Sequence, residues 1–88
     1  MYSIKELLNY KKEVQNCKIA LENGQLMDSI NFVRDSEWYS DDDVQYVAMA
    51  IVDDVDNKRD NFPTAIGYFN GSLEFIQSEL KELGLNSV

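Results

Sequence analysis

A chain of 88 residues with 16 acidic and 8 basic side chains, no histidine and one cysteine is expected to form one domain, numbered 1–88. It has no internal disulfide and lacks the commonest general base and metal ligand. Its net charge of −8 argues against direct binding of nucleic acid, and no stretch approaches the ~20 apolar residues of a membrane span. A hydrophobic fraction of 44% is too high for a disordered acidic tail, so a folded core is expected, of modest stability at this size.

In chain order, Met1-Tyr2-Ser3-Ile4-Lys5-Glu6 has no basic stretch followed by an apolar one. It does not read as a signal peptide, and with the lone Cys17 it points to the cytoplasm. Ser3 and Glu6 fit a capping box. Leu7, Tyr10, Val14, Cys17 and Leu21 then follow at 3,4,3,4 spacing, widened by Ile4, Leu8 and Ile19, and Asn23-Gly24 is a stop signal. The spacing predicts a helix over about 4–22. A short helix over about 25–36 follows from Leu26, Met27, Ile30 and Val33. The run Ser29–Arg34 also alternates as a strand would, but no second convincing strand pairs with it.

Ser40 ahead of Asp41-Asp42-Asp43 is an N-cap followed by acids that favour the helix dipole. Val44, Val47, Ala48, Ile51, Val52 and Val55 form the apolar stripe of a helix over about 41–58, closed by the cations Lys58 and Arg59. A strand over 44–52 would explain the β-branched content but not the caps. Pro63 suits a first helical turn. Phe62, Ile66, Phe69, Leu73, Ile76, Leu80 and Leu83 keep an unbroken heptad rhythm, predicting a helix over about 62–83 capped at Gly84. Gly67 and Gly71 mark either a bend or a place where another helix approaches closely. The expected fold is all-α, a small three- to four-helix bundle with antiparallel neighbours.

No catalytic, cofactor or metal motif emerges. Cys17 lies on the first apolar stripe and reads as a core residue. Asp54 and Asp56 begin a calcium-loop pattern that fails at Lys58 and has neither the central glycine nor the closing glutamate. An enzyme is therefore not expected.

The acid is concentrated in residues 28–60, which carry a net −7, against +1 for residues 1–27 and −2 for residues 61–88. Aromatics are interleaved with it. That pattern suits a surface where carboxylates steer and aromatics anchor a basic protein, one that itself binds nucleic acid. The candidate partner-binding residues are Asp35, Glu37, Trp38, Tyr39, Asp41, Asp42, Asp43, Tyr46, Asp53 and Asp56; Trp38 is equally placed to plug the end of the bundle. Spaced carboxylates also imitate DNA phosphates, as they do in acidic phage inhibitors of nucleases and of CRISPR effectors. That Lys outnumbers Arg six to two and Asn is frequent fits a bacterial or phage source.

Ser40-Asp41-Asp42-Asp43-Val44 followed by Tyr68-Phe69 resembles the colicin-nuclease immunity proteins, acidic four-helix proteins of similar length. The resemblance spans about thirty residues and implies a nuclease as the class of partner. The chain departs from that pattern in having Phe69 where the family has a second tyrosine, and in the forty residues up to Ser40. The alternative is a structural helical protein that forms a homodimer through the 62–83 heptad, with the acid serving solubility.

Overall fold

The computed structural model describes residues 1–85; the last three residues of the expected domain lie outside the described residues. Four helices run α1 (Ile4–Glu22), α2 (Leu26–Asp35), α3 (Asp41–Asp56) and α4 (Pro63–Glu82), with no strand among the described residues. Both strand alternatives are thereby decided in favour of helix. Among the described residues, no helix is long and apolar enough to cross a membrane.

The helices form a ring in which each packs on its neighbours in sequence and α4 returns to α1. Contacts between them set the directions. Ser29 Oγ on α2 donates to the Cys17 carbonyl on α1 at 2.8 Å, and Glu13 of α1 accepts from the Glu37 N–H just past α2 at 3.0 Å. The start of α1 lies beside the end of α4, where Tyr2 and Leu7 share a pocket with Glu79 and Leu83, while Leu21 near its end meets Phe62 and Ile66. Neighbours are therefore antiparallel, as short connections favour.

Three helices end in the same hydrogen-bonded reversal, a Schellman motif. After α1 the N–H groups of Gly24 and Gln25 donate to Leu21 and Ala20, and after α4 those of Gly84 and Leu85 donate to Lys81 and Leu80. The left-handed position is a glycine in both. After α3 it is Lys58, at φ 56°, with Lys58 and Arg59 donating to Val55 and Asp54. This corrects the expectation that Lys58 and Arg59 close α3 as its last-turn cations. The helix stops at Asp56, and both residues belong to the turn. A left-handed lysine costs on the order of 1 kcal/mol, and the side chain of Arg59 shows what offsets it.

Asp54 is completely buried. Its carboxylate accepts from Arg59 Nε at 2.9 Å, the Thr64 N–H at 2.9 Å and Thr64 Oγ1 at 2.7 Å. The N-cap position of α4 is Phe62, in a left-handed conformation, and its side chain makes no cap. Asp54 of α3 therefore caps α4 in its place, putting a negative charge where the helix dipole favours one. Asp53 holds the Arg59 Nη2 from the other side.

That clamp explains a second correction. The buried face of α3 is Val47, Ala50, Ile51 and Asp54, with Val44 and Ala48 half-buried. Val52 and Val55, expected on the stripe, are 57% and 52% exposed, and Met49 is 71% exposed. Turning Asp54 inward rotates both valines out to solvent. On α1 the stripe is as read, with Ala20 added, while Ile4, Leu8 and Ile19 remain exposed. On α4, Phe69, Ile76 and Leu80 are fully buried with Ala65, and Leu73 is half-buried. The centre of the heptad is thus covered within the monomer.

Candidate functional site

The segment from Ser36 to Ser40 crosses from α2 to α3 and is pinned at its start. Ser36 Oγ accepts from the N–H groups of Trp38 and Tyr39, at 2.9 and 3.1 Å, while Glu13 holds the Glu37 N–H. The turn is the local kind a serine side chain favours. It delivers two aromatic rings onto α4, each into a different cluster.

Trp38 packs with Tyr10, Tyr2 and Phe75, at ring-centroid distances of 5.3, 5.8 and 5.8 Å. Tyr39 stacks on Tyr68 at 5.8 Å, and Tyr68 in turn meets Tyr46 at 4.4 Å. An open groove of about 510 Å³ is walled by Tyr2, Trp38 and Phe75 from the first cluster and by Tyr39 and Tyr68 from the second. Its floor is α4, through Gly67, Gly71 and Ser72, and Asp43 contributes the one charged side chain. A Cβ added at Gly67 or Gly71 would meet nothing within 4 Å beyond its own stretch of helix.

Asp43 joins the acid to the aromatics. Its carboxylate accepts from the Ser40 N–H and hydroxyl at 2.8 and 3.0 Å and from the Tyr68 hydroxyl. Partial burial pushes its pKa up, but these three donors outweigh that and hold it below the ordinary aspartate value. Burial, and then the bond to Asp43, pushes the Tyr68 phenol up to about 12. The two shifts bracket a pH window. A lowered carboxyl contributes stability that is present above its unfolded pKa of about 4 and is lost as pH falls. A raised phenol contributes stability that is present below its unfolded pKa of about 10 and is lost between there and about 12. Tyr68→Phe is therefore expected to narrow the difference in melting temperature between pH 7 and pH 3, and between pH 7 and pH 11. Melts that fall as steeply as the parent's at both extremes would contradict the pairing.

The ten sequence-predicted residues do not form one surface. Trp38, Tyr39 and Asp43 line the groove, and Tyr46, 46% exposed, lies against its Tyr68 wall. Tyr39 is buried, and its hydroxyl donates to Ser72 Oγ at 2.8 Å. It supports the groove from below more than it offers a free anchor. Asp41 and Asp42 are exposed in the same first turn of α3 as Asp43. Asp35 pairs with its neighbour Arg34, an exposed contact of little energetic worth, and Glu37 is exposed beside Trp38. Asp53 and Asp56 lie roughly 15–20 Å further along α3, flanking a shallow apolar strip formed by Met49 and Val52. Asp53 is already committed to Arg59 and to Asn57.

Tyr2, Tyr68, Phe75, Gly67 and Gly71 escaped the sequence reading as site residues. The legible signal was the pair of helix-interior glycines, whose propensity cost of about 1 kcal/mol each lacks any local structural reason. Phe69 lies fully in the core and is not among the residues lining the groove.

Among the described residues, no three cysteine or carboxylate side chains converge where a metal ion could be held. Cys17 is buried with its thiol pushed up to about 12 by desolvation, the reverse of what a nucleophile needs. No family model, curated protein or solved structure matches this chain.

Proposed function

We infer that the protein is a non-enzymatic binding protein that engages a basic surface on a protein partner through the first turn of α3 and the aromatic side chains beside it. One observation carries this reading. Asp41 and Asp42 form no ion pair among the described residues; they share the first turn of α3 with Asp43, which lines the open aromatic groove, and Asp42 lies one turn before the exposed Tyr46. Uncompensated charge raises association rates, and adjacent aromatics lengthen residence. Surfaces basic enough to match are characteristic of proteins that hold phosphate backbones, so the reading extends to inhibition of a nucleic-acid-handling protein such as a nuclease, by occupation of its basic site in a cytoplasmic setting.

The test is capture of partners by the tagged chain, followed by kinetics on the purified pair. Asp41→Asn with Asp42→Asn preserves the Asp43 cap and should slow association about tenfold at low salt. Tyr46→Ala should instead speed dissociation. The partner's hold on DNA or RNA should weaken as the complex forms. A partner whose binding is indifferent to salt and to these changes would overturn the reading. Asp53 is a poor position for such a test, because a lysine there would face Arg59.

A second reading, self-association, is favoured by the outward strip of Met49, Val52 and Val55. It would run through α3, since Phe69, Ile76 and Leu80 are already buried. Sedimentation of the parent and of Val52→Lys at micromolar concentration separates the two: a dimer lost in the variant supports this reading, and a monomer in both removes it.

A further inference from the structure

Two glycines inside one helix normally answer to a close neighbour. Here none exists: a Cβ at Gly67 or Gly71 would meet nothing within 4 Å, and both glycines line a groove together with Tyr2, Trp38, Tyr39, Tyr68 and Phe75. The vacancy is open to an occupant from outside the chain. The chemistry of the groove narrows what that occupant is. Its walls are electron-rich rings, its one charge is the carboxylate of Asp43, and no lysine or arginine lines it. Aromatic faces beside a carboxylate attract a cation. A flat guanidinium is the better match, because it stacks on rings and can donate edge-on to the lone pair left on an Asp43 carboxylate that already accepts from Ser40 and Tyr68, whereas an ammonium is a compact, strongly hydrated point charge.

We propose that the groove is the seat of an arginine-bearing segment of the protein partner, its guanidinium held among Trp38, Tyr68 and Asp43 and its backbone lying over Gly67 and Gly71. The proposal rests on the acidic-face reading above and names the contact that gives it specificity.

Trp38 is the sole tryptophan, so its fluorescence reports on the groove directly. The probe is a synthetic pentapeptide with arginine at two alternate positions, compared with versions carrying lysine or neutral, isosteric citrulline there. The arginine peptide should give a saturable change in Trp38 emission, the lysine peptide should bind several-fold more weakly, and the citrulline peptide should give no saturable change. Gly71→Leu puts a side chain into the groove from a position whose Cβ has open space. It should raise the melting temperature and weaken the arginine peptide at least tenfold. Gly67→Ala with Gly71→Ala should also raise the melting temperature, confirming that the glycines are dispensable for folding. No saturable change up to millimolar arginine peptide, equal binding of the citrulline or lysine peptide, or full binding by Gly71→Leu would each overturn the proposal. If Asp41→Asn with Asp42→Asn weakens the peptide while Gly71→Leu does not, the groove is excluded and the acidic-face reading stands without it.

Discussion

Asp54→Ala should cost about 2–4 kcal/mol, from the charge-assisted hydrogen bonds removed at a buried carboxylate and the cap lost from α4, while the pair with Arg59, 38% exposed and still held by Asp53, adds little. The loss has three parts. Arg59 is left without the carboxylate that holds its Nε, the Thr64 N–H at the start of α4 loses its acceptor, and the Thr64 hydroxyl loses its own. The left-handed backbone at Lys58 and Phe62 then loses the side-chain contacts that help to hold it. A chain of this length has on the order of 5–10 kcal/mol in total, so the variant should melt more than about 10 °C below the parent or fail to fold. Thr64→Val is the graded control: it removes the hydroxyl and keeps the N–H bond, for a loss of about 1 kcal/mol. Thermal melts followed by circular dichroism distinguish these outcomes. An Asp54→Ala variant that melts with the parent would mean that α4 is capped some other way.

Phe69→Ala should be comparably damaging, at about 3–5 kcal/mol, because it removes the largest fully buried side chain and leaves a cavity where α4 faces the rest of the bundle. It also removes the ring beneath Tyr39, whose centroid lies 6.2 Å away, so the stacked Tyr39–Tyr68 wall of the groove should loosen together with the core. Leu73→Ala, at a half-buried position of the same heptad, should lose clearly less. Urea titration of the two variants gives the comparison. Equal losses would show that burial is spread evenly along the heptad and that Phe69 holds no special place.

These two residues mark how far the chain could be read unaided. Phe69 was legible because a sustained heptad identifies a core stripe whatever it packs against. Asp54 was not. Between Asp53 and Asp56 it is one acid among several, and its neighbours in sequence point to solvent or to a failed calcium loop. Its role depends on Arg59 and Thr64 arriving from a turn and from the next helix. The acidic face divides in the same way. Its concentration in residues 28–60 was plain, but Asp53 turned out to be tied to Arg59, Asp43 to Ser40 and Tyr68, and Tyr39 to the core. Which carboxylates remain unpaired is a property of contacts across the bundle.

Apolar spacing, caps and breakers were enough to determine four helices and their approximate ends, because those signals act within one or two turns of chain. Only the tertiary structure decided the rotation of α3, which carries Val52 and Val55 outward so that a buried aspartate can cap α4. It alone gathered Tyr2, Trp38, Tyr68 and Phe75 over the two glycines. Residues so far apart in sequence have no periodicity relating them. They meet because antiparallel packing lays the start of α1 and the turn before α3 on the same stretch of α4.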